Sequence, residues 1–189
     1  MSVSSRRTEF ATALLVAATL AHGARAQNEL ASVREPFDRG RFGEALAHTA
    51  DIGDASLRAQ WRYYIRNAAG DLVAALDGTL ADLGEHPDDA ALLANAAVGA
   101  TTLGRGEFAE KLCDRWRAAL EHASLEPAQR TAALARADEV GKQAHEAADV
   151  ERAARRALRS ARAVAITLLA LSCIALFAFA RWNGARRPG

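Results

Sequence analysis

Three short stretches of the chain carry residue types at spacings that chemistry uses. Gly99-Ala-Thr-Thr-Leu-Gly104-Arg105-Gly106 has the glycine spacing of a phosphate-binding loop, which cradles phosphates on backbone N–H groups. Such a loop also needs a lysine to reach the terminal phosphates and a hydroxyl for Mg²⁺, and Arg105 and Gly106 stand in those places. The overlapping Gly104-Arg-Gly106-Glu-Phe-Ala109 has dinucleotide-fingerprint spacing without a preceding strand or a surrounding βαβ unit. Both read better as a glycine turn between two helices. His145-Glu146-Ala-Ala-Asp149 has the spacing of a zinc-binding helix, but Asp149 replaces the second histidine and no third ligand follows from spacing. Asp88-Asp89 reads as an N-cap cluster before it reads as an acid/base dyad. His48, His86 and His122 sit near helix ends, where the helix dipole favours them. No nucleophile with a matched base emerges, so the sequence gives no catalytic residue, no metal site and no cofactor.

Charge and cysteine usage narrow the classes further. Lys and Arg number 24 against 23 Asp and Glu, a formal net charge of +1, so the basic excess that replaces phosphate counterions is missing and no nucleic-acid partner is expected. Arginine outnumbers lysine 22 to 2, as in a bacterium with a GC-rich genome. Cys113 falls in the middle of the chain and Cys173 within an apolar run, so one disulfide joining them is excluded, and Cys113 is expected to be a small core side chain.

The positioning elements begin once both ends are set aside. Arg6 and Arg7 precede the apolar run Ala11 to Ala21, and Ala24-Arg-Ala26 follows with small-x-small spacing. That is the layout of a signal peptide, 1–26, whose 11-residue apolar run is too short to cross about 30 Å of hydrocarbon. Near the other end, the 18 residues from Ala163 to Ala180 carry no charge, with Arg162 and Arg181 bracketing them and Trp182 where an interfacial aromatic belongs. This predicts a membrane span, 163–180, followed by a short cytoplasmic tail, 181–189. The flank before the span holds Arg152, Arg155, Arg156, Arg159 and Arg162 on one side of a helix, 149–162, where contact with anionic lipid headgroups is expected. That flank alone would favour the inside, whereas the signal peptide directs the preceding domain outward.

The middle, 27–148, reads as helical throughout. Leu57, Trp61, Tyr64, Ile65 and Ala68 share one helical face behind Asp54 as N-cap. Leu72, Leu76, Leu80 and Leu83 follow before Gly84; Leu92, Leu93, Ala96, Ala97, Ala100 and Leu103 run to Gly104; and Phe108, Leu112, Trp116, Ala119 and Leu120 form the last stripe. Gly40, Gly70 and Gly106, spaced by 30 and 36 residues, each separate two such helices. With Phe42, Leu72 and Phe108 two residues later, Ala45 and Ala75 five later, and His86-Pro87-Asp88-Asp89 between pairs, the segment 28–122 resembles the tetratricopeptide repeat family. Lys111, Arg62, Arg66 and Pro36 depart from that family's pattern. Pro127 to Ala148, with Leu134 and Val140, is expected to cap the last pair.

The resulting expectation is an all-α fold: antiparallel helix pairs stacked as a short tetratricopeptide-like solenoid, then one transmembrane helix. The resemblance implies that the first helix of each pair lines a concave groove, which here carries Arg34 in the first repeat and Gln60, Tyr64 and Asn67 in the second. Together with the targeting segments, this points to a non-enzymatic scaffold or assembly factor outside a bacterial cytoplasmic membrane, similar to accessory proteins of envelope assembly. A structural subunit of a membrane complex and an enzyme of unrecognised type stand as alternatives.

Overall fold

The computed structural model describes residues 24–185, with side chains from Leu30 to Leu176. The expected signal peptide therefore lies, except for its last three residues, outside the described residues. Among these there are seven α-helices and no strand: α1 (Ala24–Asp38), α2 (Phe42–His48), α3 (Ala55–Ala68), α4 (Leu72–Glu85), α5 (Ala90–Thr102), α6 (Gly106–His122) and α7 (Pro127–Ala185). A 3₁₀ turn, Thr49–Asp51, follows α2. The all-α class matches the expectation. Two compact units divide the chain, one ending at Ala148 and one beginning at Asp149.

In the first unit, the same turn joins the helices of each pair. Gly40, Gly70 and Gly104 have φ of +71°, +86° and +69°, a conformation that costs glycine nothing and other residues a steric penalty. In each, the glycine amide donates to the carbonyl three residues back: Phe37 at 2.9 Å, Asn67 at 3.0 Å and Thr101 at 3.0 Å. The next amide donates five residues back, Arg41 to Pro36 at 2.8 Å, Asp71 to Arg66 at 2.9 Å and Arg105 to Ala100 at 2.9 Å. These are Schellman caps, which satisfy the carbonyls that a helix end leaves open.

This corrects the sequence reading of the third turn. Its glycine is Gly104, not Gly106, so the spacings become 30 and 34 residues. The small position five residues on is then Ala109, fully buried like Ala45 and Ala75, instead of Lys111. Gly106 has a different task. It opens α6 so close to α7 that a Cβ would collide with the backbone of Ala147 and Ala148.

The remaining departures from the repeat pattern also have local explanations. Pro36 lies inside α1, buried, and the helix continues to Asp38. Arg62 and Arg66 are half-buried, Arg62 donating from Nε to Thr49 Oγ1 at 3.4 Å and Arg66 to the Ala74 carbonyl at 3.1 Å. Gly84 does not stop its helix; α4 runs on to Glu85 and ends at His86, before Pro87. Aspartates open three helices: Asp54 accepts from the Leu57 amide at 2.8 Å, Asp71 from Ala74 at 3.1 Å, and Asp89 from Ala91 and Leu92 at 2.8 and 3.0 Å.

The apolar faces close into two clusters. In the first, Leu30, Val33, Ala45, Ile52, Leu57, Trp61 and Ile65 meet around Phe37, whose ring stands edge-on to Phe42 and to Trp61 at 5.8 Å each. The second runs from Ala59 and Leu76 through α5 to Leu112, Cys113, Trp116 and Leu120 on α6, and ends on Ala137, Val140 and Ala144 of α7. The segment 127–148 thus covers the apolar face of α6. Helix α3 faces both clusters, through Leu57, Trp61 and Ile65 on one side and Ala59 on the other.

The second unit is helical to Ala185. Its side chains from Ala153 to Leu176 are exposed, including Ile166 at 68%, Leu169 at 69% and Leu176 at 68%. Helix α7, to which it belongs, is the one helix among the described residues that is long and apolar enough to cross a membrane, by length and composition.

Candidate interaction surface

Gln60, Tyr64 and Asn67 fall at i, i+4 and i+7 of α3 and share one of its faces. Asn67 is exposed. Gln60 is half-buried and donates to Ser56 Oγ at 3.2 Å on its own helix. Tyr64 is half-buried, its ring edge-on to Tyr63 at 5.8 Å, and its hydroxyl oxygen is covered without a hydrogen-bond partner among the described residues. Arg34 stands exposed on α1 and pairs with Asp38, one turn along the same helix, at 3.6 Å. The four residues expected to line a groove thus comprise a trio on α3 and an arginine engaged on α1.

Behind the trio lies a polar feature that sequence reading missed. Tyr63 is 3% exposed and packs on Gly99 of α5, where an added Cβ would sit 3.5 Å from its ring and its hydroxyl. Asn95, one turn before Gly99, is 4% exposed. The Tyr63 hydroxyl and the Asn95 amide nitrogen are both buried without a partner among the described residues. Burial holds the Tyr63 hydroxyl well above the ordinary tyrosine range, with the neighbouring Tyr64 adding to the shift, and burial pushes Tyr64 up to about 12. The signal that could have revealed Tyr63 is the run of four large residues, Trp61 to Tyr64 with Arg62 between, which exceeds what one apolar stripe of a helix can hold.

The motifs with chemical spacing are spread through ordinary helix architecture. Gly99 is inside α5, Gly104 in the turn and Gly106 in α6, and the turn amides of Gly104 and Arg105 are used by the Schellman cap. His145 Nδ1 lies 2.6 Å from the Glu110 carboxylate, and Asp149 accepts from Arg152 at 3.0 Å. Among the described residues no group of three or more His, Cys, Asp or Glu side chains is placed to hold a metal ion. Cys113 is buried and burial raises its thiol, which leaves it protonated and unreactive at neutral pH.

Comparison with known proteins returns no matching family model, no matching curated protein and no matching solved structure. The functional reading therefore rests on the residues themselves.

Proposed function

We propose that this chain is a non-enzymatic scaffold or assembly factor, held in a bacterial cytoplasmic membrane by the span 163–180. In this reading its helix pairs stack as a short tetratricopeptide-like solenoid on the outer side and dock a protein partner. The observation that carries it is the recurrence of one Schellman turn at Gly40, Gly70 and Gly104, each followed five residues later by a fully buried alanine. Repeats of this kind bury apolar faces that one helix pair cannot bury alone, and they leave the first helices of successive pairs as a continuous surface. The exposed apolar run that follows supports membrane anchoring.

The partner would engage Tyr64 and Asn67, with Gln60 and Arg34 at the periphery. Tyr64 would offer the exposed part of its ring, its hydroxyl being covered, and the exposed Asn67 side chain can pair with an extended peptide backbone. The test is crosslinking and capture from intact membranes with the full chain and with a Tyr64→Ala, Asn67→Ala double variant. Loss of the captured partner with the thermal midpoint kept supports the groove. Unchanged capture rejects it.

A further inference from the structure

The arginines before the apolar run differ in how they are neutralised, and the difference follows their distance from Ala163. Arg152 donates to Asp149 at 3.0 Å, and Arg155 is paired with Glu151. From Arg152 onward the sequence contains no Asp or Glu. The helical neighbours three and four positions from Arg156, Arg159 and Arg162 are Arg, Ala, Ser, Leu or Ile, so these three have no carboxylate within reach on their own helix. The Arg156 Nε–H donates to the Arg152 carbonyl at 3.3 Å. Among the described residues, three guanidiniums thus leave their charge unbalanced on an exposed helix whose next residues are apolar and exposed as well.

Distance along the helix then selects the ligand. At about 1.5 Å per residue, Arg162, Arg159 and Arg156 stand roughly 1.5, 6 and 10.5 Å before Ala163, while Arg155 and Arg152 stand roughly 12 and 16.5 Å before it. The headgroup layer on each side of the hydrocarbon is about 5–7 Å thick. Arg162 and Arg159 fall within it and Arg156 reaches it with its long side chain. Guanidinium binds phosphate oxygens through paired N–H donors, and an anionic headgroup adds the net charge that a zwitterionic one lacks.

We propose that Arg156, Arg159 and Arg162 form a collar for anionic phospholipid headgroups at the leaflet where the span begins, and that Arg152 and Arg155, already paired, do not belong to it. This inference rests on the reading of 163–180 as a membrane span.

The test uses the full chain with Arg181→Gln, Arg186→Gln and Arg187→Gln in every arm, so that anion preference reports on this end alone. It is reconstituted in phosphatidylcholine bilayers with a trace of spin-labelled phosphatidylglycerol or spin-labelled phosphatidylcholine. The motionally restricted lipid component is expected to favour phosphatidylglycerol by at least about fivefold, and to lose that preference in high salt. Arg156→Gln, Arg159→Gln, Arg162→Gln should bring the ratio to parity, whereas Arg152→Gln, Arg155→Gln should leave most of it. Equal association of both labels with the parent, or an equal loss in the two variants, overturns the collar while leaving the span intact. A bilayer with no restricted component for either label overturns the span itself, and the collar with it.

Discussion

The Tyr63 hydroxyl is buried without a hydrogen-bond partner among the described residues, and its behaviour can be checked directly. A buried hydroxyl without a partner costs free energy that phenylalanine at the same site avoids. Tyr63→Phe is therefore expected to raise the thermal midpoint by a few degrees. Tyr63 and its neighbour Tyr64 set an alkaline limit, with Tyr64 the first to titrate. Because burial raises the folded-state tyrosine pKa values above their unfolded value near 10, the neutral form stabilises the fold fully below about pH 10 and that stabilisation is lost as pH rises through about 12. A base titration followed by circular dichroism should show unfolding in that window, displaced to higher pH by a Tyr63→Phe, Tyr64→Phe double variant. Why Tyr63 was not legible is plain from its neighbours. Periodicity assigns one apolar face to α3, and on it Leu57, Trp61 and Ile65 are buried and Asp54 caps the helix, whereas Tyr64 is half-buried and Ala68 exposed. The helix is packed on two sides, however, and a second buried face is set by α5, which local spacing along α3 does not encode.

At the scale of elements, three glycines with different tasks predict three different outcomes for the same substitution. Gly84 is helical and exposed with open space around it, so Gly84→Ala should stabilise by about 0.5–1 kcal/mol through helix propensity. Gly104→Ala forces a side chain into positive φ and should cost about 1 kcal/mol. Gly106→Ala drives a methyl into the backbone of α7 and should cost more than either, about 3 kcal/mol or above, or prevent α7 from docking. Denaturant melts of the three variants rank them; a Gly106→Ala cost below that of Gly104→Ala would contradict the close packing. Trp116→Ala, at a site 5% exposed, should cost about 3–5 kcal/mol on the same scale. The helices and most of their stripes were legible because each is bounded by a cap or a glycine. Which of two glycines two residues apart takes the positive φ was not, because both suit a turn by type, and the close approach of Ala147 and Ala148 that gives Gly106 its separate task comes from far along the chain. With Gly104 as the turn, Ala109 falls into line with Ala45 and Ala75, but the position two after the glycine is Gly106 where the other turns have Phe42 and Leu72, and Phe108 is exposed.

At the scale of the whole molecule, the proposed orientation predicts that reporters fused after Ala26 and after Gly189 lie on opposite sides of the membrane, the former outside. A cytoplasmic readout from both would reject the signal-peptide reading and with it the outward placement of the scaffold. The apolar run was legible as 18 uncharged residues, and which arginines before it are paired among the described residues was not, since pairing depends on which acids fall a helical turn away. One packing feature also constrains the order of events during synthesis. The core ends on Ala137, Val140, Ala144 and Ala148, and the apolar run opens at Ala163, fifteen residues later. A chain emerging from its N-terminus therefore cannot bury the exposed side of α6 until the ribosome is already making the apolar run. Until residues 137–148 are available, the cluster on α6 is an unfinished core with an open edge, so the last part of the fold to close is the part next to the apolar run.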